Sequence, residues 1–171
     1  MELSIVIAST QDGVIGAEPA ECLYSTKDKE HFKMVTQYAP VHMPNLLIVG
    51  RKTWETLPEI MRTCKYRKYI VLTRQVDYRE NKSLFVDCVE QSYKCDAIVA
   101  HTFDDVLKYC MDNRSSYYKI FVIGGAEIYK LALESGFVTE IYLTEFCVDL
   151  TSELGDAAGL VKMDNGLFNL K

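Results

Sequence analysis

One stretch restricts the fold of this chain more than any other, the segment KIFVIGGAEIY at residues 119–129. The β-branched and aromatic side chains from Ile120 to Ile123 are typical of a buried strand, and two glycines end it. The segment from Ala126 to Tyr129 follows with helical spacing. A strand that turns at Gly-Gly into a helix lets backbone approach a ligand, and the first helical amides suit an anion such as a pyrophosphate. Gly-Gly alone is equally compatible with a tight turn that binds nothing.

Two other predicted strands also end in glycine or in cations. The strand at 45–49 runs into Gly50, Arg51, Lys52 and Thr53, and the strand at 69–73 is followed by Arg74. Ligands of open α/β sheets bind beyond the carboxyl ends of the strands, which favours a phosphate site here over a merely solvated cationic turn. No G-x-G-x-x-G follows a strand, so an ordinary Rossmann half is not supported.

The order of the elements predicts the fold class. Strands alternate with helices, which is typical of an α/β domain with a mainly parallel sheet. No repeat or linker divides residues 1–171, so one domain is expected. The predicted strands lie at 3–9, 45–49, 69–73, 84–89, 97–100, 120–123 and 140–146, the helices at 26–38, 102–112 and 126–133, and a loop at 17–23.

Composition excludes several classes of function. The chain has 171 residues with a net charge of −5, which argues against a nucleic-acid surface. No apolar run approaches the roughly 20 residues of a membrane helix, and no signal peptide is apparent. The six cysteines are scattered, so free thiols in a reducing cytosol are favoured over a disulfide framework. We expect a cytoplasmic monomer that acts on a small molecule, with no metal, nucleic-acid or membrane partner.

One carboxylate stands out on the first predicted helix, which Thr26 is expected to cap. Asp28, Phe32 and Val35 share one helical face, with spacings of four and three residues. The functional interpretation is a carboxylate held over an apolar cleft. The alternative is an Asp of the first turn that only interacts with the helix dipole.

Together these segments resemble the dihydrofolate reductase family. The matching segments appear in the family's order over about residues 3–146: VIG at 14–16, DKEHFKMVT at 28–36, VGRKTWETLP at 49–58, RKYIVLTR at 67–74, IGGAEIY at 123–129 and IYLT at 141–144. The resemblance implies a single-domain fold, a central, mainly parallel, twisted sheet flanked by about four helices. It also implies NADPH-dependent reduction of 7,8-dihydrofolate to 5,6,7,8-tetrahydrofolate, a reaction of one-carbon metabolism and an antifolate target.

The resemblance further implies roles at the substrate. Asp28 would hold the pterin ring and assist protonation of N5, and Thr144 would fix the orientation of Asp28. Phe32 and Leu57 would sandwich the substrate, and Arg67 would pair with its glutamate α-carboxylate. Where the family has a Trp that orders a water, this chain has Leu23 or Tyr24, of which only Tyr24 could bind a water. The remaining implied substrate residues are Val6, Ile7 and Ile123.

The implied cofactor residues follow the strand ends. Ala8 and Ile15 would contact the nicotinamide, and the cations would hold the 2′-phosphate and pyrophosphate. The full set is Ala8, Ile15, Gly16, Gly50, Arg51, Lys52, Thr53, Leu72, Thr73, Arg74, Ile123, Gly124, Gly125, Ala126, Glu127, Ile128 and Tyr129.

Three alternatives accompany these expectations. The first is the related pyrimidine reductase of riboflavin synthesis, which is not expected to carry the Asp28–Phe32 pair or Arg67. The second is a folate- or NADPH-binding protein that has lost turnover. The third concerns residues 159–171, expected either as an abbreviated hairpin, with runs at 160–163 and 167–170 beside the strand at 140–146, or as a frayed tail.

Overall fold

The computed structural model describes residues 1–16, 25–80, 85–88, 93–154 and 159–163. The strands are β1 (Leu3–Thr10), β2 (Val14–Gly16), β3 (Asn45–Gly50), β4 (Arg67–Leu72), β5 (Phe85–Cys88), β6 (Tyr93–Asp96), β7 (Ile98–Ala100), β8 (Ile120–Val122), β9 (Val138–Phe146) and β10 (Val161–Lys162). The helices are α1 (Thr26–Gln37), α2 (Arg51–Thr56), α3 (Glu59–Arg62), α4 (Phe103–Asp112), α5 (Ala126–Glu134) and α6 (Leu150–Leu154). Within these ranges no helix is long and apolar enough to cross a membrane.

Six strands form the central sheet in the order β7-β4-β3-β8-β1-β9, and every neighbouring pair is parallel. This confirms the predicted α/β class. The side chains from Leu46 to Val49 on β3 have no exposed surface, as expected of a strand covered on both faces. Because all six strands point the same way, their carboxyl ends meet at one edge of the sheet.

Several element boundaries differ from the predicted ones. β4 begins at Arg67 and β9 at Val138, in each case two residues early, because parallel partners extend the ladders there. Ser25, not Thr26, caps α1 by accepting from the Asp28 backbone N–H, and Thr26 is the first helical residue. β6 was not predicted, because Tyr-Lys-Cys-Asp lacks an apolar run, yet it pairs antiparallel with β5.

The C-terminal segment takes a different position from the predicted hairpin. β10 pairs antiparallel with β2, and the Met163 N–H donates 3.0 Å to the Gly13 carbonyl. Met163 is only 5% exposed, because its side chain packs in the main core cluster. The first predicted run therefore lies against β2, not beside β9. The second run, at 167–170, and its Asn165-Gly166 turn lie outside the described residues.

The side chain of Asn45 attaches α1 to the sheet. It is fully buried at the start of β3, and its amide donates to the carbonyls of Thr36 and Tyr38 at 2.9 and 3.0 Å. Its own carbonyl accepts from the Lys119 backbone N–H, just before β8. One amide therefore holds the end of α1 against two strands.

Candidate active site

A cavity of about 990 Å³ opens at the carboxyl ends of β3, β4 and β8. A pocket of this size suits a large organic ligand. All the predicted cofactor residues line it except Ala8. The predicted residues that it brings together are Ile15, Gly16, Gly50, Arg51, Lys52, Thr53, Leu72, Thr73, Arg74, Ile123, Gly124, Gly125, Ala126, Glu127, Ile128 and Tyr129.

Two glycines allow the backbone to come together at the floor of this cavity. Gly124 has φ +131°, where a side chain is strained, and a Cβ there would meet the Tyr129 hydroxyl at 3.3 Å. The Gly50 N–H donates 2.7 Å to the Gly124 carbonyl, and a Cβ on Gly50 would lie 3.1 Å from Ile128. The starts of α2 and α5 therefore stand side by side, with α5 presenting its first backbone N–H groups to the cavity.

The cations of the cavity are arranged in two different ways. Arg51 forms an ion pair with Glu55 within α2, at 3.3 Å. Arg74, after β4, forms an ion pair with Glu127 on α5, which comes from another part of the sheet. Lys52 is exposed. The site therefore offers three positive side chains near backbone donors, a combination that suits phosphate groups.

Several lining residues were missed by the sequence reasoning. His101 directly follows β7, and its Nδ1 lies 2.9 Å from the Thr73 carbonyl oxygen. β7 is a further parallel strand, so the rule that ligands bind beyond carboxyl ends could have found this position. The other missed lining residues are Gln75, Thr102, Phe103, Asp104, Leu131 and Val161.

The apolar wall of the predicted substrate site adjoins the cavity. Val6 and Ile123 belong to a buried core cluster, and Phe32 and Leu57 pack against it as partly buried side chains. Ile123 also lines the cavity, so it lies between the two regions. Ile7 is buried in the neighbouring cluster of the core.

Asp28 lies in the first turn of α1 and is half-buried. Burial raises the pKa of Tyr129, and the charge of Asp28 raises it further, which places the carboxylate within electrostatic reach of that phenol. The Tyr129 hydroxyl donates 2.9 Å to the Val6 carbonyl. This hydrogen bond joins α5 to β1.

Thr144 makes a contact different from the predicted one. Its hydroxyl lies 3.5 Å from Nδ1 of His31, three residues after Asp28, and no hydrogen bond joins it to the described Asp28 side chain. Ala8 on β1 pairs with Thr144 on β9, so their side chains lie on the same face of the sheet. Ala8 does not line the cavity. Tyr24 lies outside the described residues.

Arg67 is a buried residue of β4 and not a surface cation, with 2% of its area exposed. Its guanidinium lies over the Phe32 ring at 5.6 Å, and Nη2 donates to the Lys33 carbonyl at 3.4 Å. Among the described residues, no acceptor is within hydrogen-bond distance of its buried Nε. A buried guanidinium with a spare donor suits a carboxylate ligand.

Comparison with known proteins identifies the family. The sequence profile of the family described as dihydrofolate reductase matches residues 2–158. The chain belongs to the dihydrofolate reductase family. Membership confirms the predicted fold and enzyme class, an oxidoreductase of the dihydrofolate reductase type, and the predicted reduction of dihydrofolate.

Relatives from distant organisms agree with this assignment. The chain is 26% identical to dihydrofolate reductase of Mycobacterium tuberculosis, over 91% of this chain and 78% of the relative. It is 29% identical to that of Pneumocystis carinii, over 86% and 70%. The solved structure of Schistosoma mansoni dihydrofolate reductase superposes with a TM-score of 0.68 at 26% identity, covering 87% of this chain and 75% of that one.

Proposed function

We propose that this member of the family reduces 7,8-dihydrofolate with NADPH as the hydride donor, and that the carboxylate of Asp28 assists protonation of the substrate. The observation that carries the proposal is the position of Ile123, which lines the cofactor cavity and packs in the cluster that contacts Phe32 and Leu57. Two flat rings that exchange a hydride must stack closely, and a shared apolar wall favours such stacking.

The proton is the second requirement of the reaction. NADPH would supply the hydride, and the substrate nitrogen must gain a proton within a largely apolar cleft. Asp28 lies on the α1 face that also carries Phe32, within electrostatic reach of Tyr129. Its carboxylate would accept a hydrogen bond from the pterin amino group and orient a proton donor at N5.

The preference for NADPH over NADH rests on Arg51, Lys52 and Arg74. A pyrophosphate needs fewer cations than these three, and the start of α5 offers it backbone donors. The surplus positive charge supports a further phosphate on the ribose. Arg67, with its spare Nε donor beside Phe32, would pair with the glutamate α-carboxylate of the substrate.

A steady-state assay tests the proposal, with loss of NADPH absorbance in the presence of dihydrofolate as the readout. Turnover supports the enzyme, whereas tight binding of both ligands without turnover supports the alternative of a binding protein. The double variant Arg51→Ala, Arg74→Ala should raise KM for NADPH and leave that for NADH nearly unchanged. Equal losses for the two cofactors would contradict the assignment of the 2′-phosphate.

Location and assembly are also proposals. We infer a monomer in the cytoplasm; the location is supported by Cys64, Cys110 and Cys147, which are free thiols among the described residues. Sedimentation of the purified protein tests the assembly state.

A further inference from the structure

The Arg74–Glu127 ion pair crosses the cofactor cavity. Arg74 follows β4 by two residues, whereas Glu127 is the second residue of α5, which follows β8. In the sheet, β3 lies between β4 and β8, so the two ends are about 10 Å apart. The pair therefore spans the carboxyl end of β3, where Gly50 and the start of α2 form the floor of the cavity.

Both charges of this pair are accessible. The side chains of Arg74 and Glu127 are 81% and 65% exposed, and both line the cavity. The Arg51–Glu55 pair differs, because both of its members lie on one helix, four residues apart. A carboxylate in the first turn stabilises α5 through the helix dipole, but it also places negative charge where an anionic ligand must approach.

We propose that Glu127 is a specificity-determining counter-ion of the cofactor site, which holds Arg74 across the cavity and must release it before Arg74 can bind a phosphate. This inference rests on the proposed role of Arg74 in binding the 2′-phosphate. Glu127 then competes with the phosphate for the same guanidinium. Binding of NADPH is weakened more than binding of NADH, which has no phosphate to offer Arg74.

The test is the dissociation constant of each dinucleotide for Glu127→Gln, measured by fluorescence titration at low ionic strength. An exposed pair of this kind predicts an affinity for NADPH about two- to fivefold higher than wild type, and a smaller gain for NADH. The gain should shrink near 1 M salt, where the Debye length is about 3 Å. Glu134→Gln is the matched control, because Glu134 makes an exposed pair with Lys130 on the same helix and does not line the cavity.

Arg74→Ala separates this inference from the function on which it rests. In that background Glu127→Gln should improve NADPH binding no more than NADH binding. If Arg74→Ala weakens NADPH but Glu127→Gln leaves NADPH affinity unchanged or lowers it, the counter-ion role is wrong and the phosphate assignment stands. If Arg74→Ala leaves NADPH affinity unchanged, the counter-ion role of Glu127 and the phosphate assignment of Arg74 are both overturned. Thermal unfolding of each variant checks that the fold is intact.

Discussion

The hydroxyl of Thr144 lies 3.5 Å from Nδ1 of His31, one helical turn beyond Asp28. β9 thus contacts α1 through the imidazole, and among the described residues no hydrogen bond joins β9 to the Asp28 carboxylate. β9 therefore contacts α1, the helix that carries Asp28, through His31 and not through Asp28. A carboxylate without that partner keeps its lone pairs for the substrate contact proposed above.

Asp28→Asn is expected to keep the fold and to lower turnover strongly at neutral pH. The amide can still contact the pterin, but it cannot carry the negative charge that favours a protonated substrate nitrogen. Activity should recover in part at acidic pH, where dihydrofolate arrives already protonated. The measurement is the pH profile of kcat, with Glu30→Gln as control, because Glu30 is an exposed acid on another face of α1. A large effect of Glu30→Gln with none of Asp28→Asn would show that the helix face was misassigned.

Arg67→Ala is expected to weaken ligands that carry a glutamate tail. Loss of a charged hydrogen bond costs about 1.5–3 kcal/mol, or roughly ten- to a hundredfold in Kd. Methotrexate should be affected, and trimethoprim, which lacks the tail, should not. Because Arg67 is buried over Phe32, the variant also loses stability, so the ratio of the two affinities is the readout. Lys68→Ala is the control, and an equal loss for both ligands would refute the role.

The hydrogen bonds of the Asp12 carboxylate predict that the folded protein loses stability in acid. Burial alone would raise the pKa of the Asp12 carboxyl, but hydrogen bonds from Thr10 and from the side chain and backbone of Thr151 lower it far below its ordinary value. The folded protein therefore binds its proton less readily than the unfolded chain. The stabilisation is present above the unfolded pKa of about 3.9 and is lost as the pH falls from there towards the folded pKa.

Denaturant unfolding at a series of acidic pH values checks this prediction. Asp12→Asn should flatten the pH dependence of the free energy of unfolding below about pH 4. Thr151→Val should flatten it in part, because the backbone N–H of residue 151 still donates. If the free energy of unfolding of Asp12→Asn depends on pH as strongly as that of the wild type, other carboxyl groups dominate acid unfolding.

Gly124→Ala is expected to lower both stability and cofactor affinity. The backbone at φ +131° disfavours any side chain, at a cost of about 1–3 kcal/mol, and the new methyl group would also crowd the Tyr129 hydroxyl and Thr53. Gly136→Ala separates the two effects, because Gly136 has φ +72° with nothing within 4 Å. The control should lose about 1 kcal/mol and bind NADPH normally. Equal losses of stability and of NADPH affinity in the two variants would contradict the greater demand for glycine at position 124.

The parallel sheet and the cofactor cavity could be predicted from sequence for a local reason. Each of β3, β4 and β8 contains a short apolar run, and a glycine or a cation lies at its carboxyl end or within two residues of it: Gly50, Arg74 and Gly124. Parallel strands bring such ends together. The conformational demand on Gly124 is likewise encoded in the residue type. The site residues found in this way lie within a few positions of a strand end.

Features that depend on distant pairings could not be predicted. Arg74 and Glu127 are 53 residues apart, and neither carries a local signal for the other. The burial of Arg67 depends on Phe32 from α1, although its neighbours in sequence are the lysines expected of a surface. Val161 and Lys162 pair antiparallel with β2, and their short run carries no local signal that selects this partner over the strand at 140–146.

Asn45 has a consequence for the geometry of the reaction. α1 spans about 18 Å and is held at its far end, so a small rotation about Asn45 displaces Asp28 at the other end. The same amide holds the residue before β8, the strand that leads to Gly124. The helix of Asp28 and the strand that leads to Gly124 thus share one buried attachment point. A change at Asn45 would therefore move the proposed proton carboxylate and the proposed dinucleotide site together, although Asn45 belongs to neither.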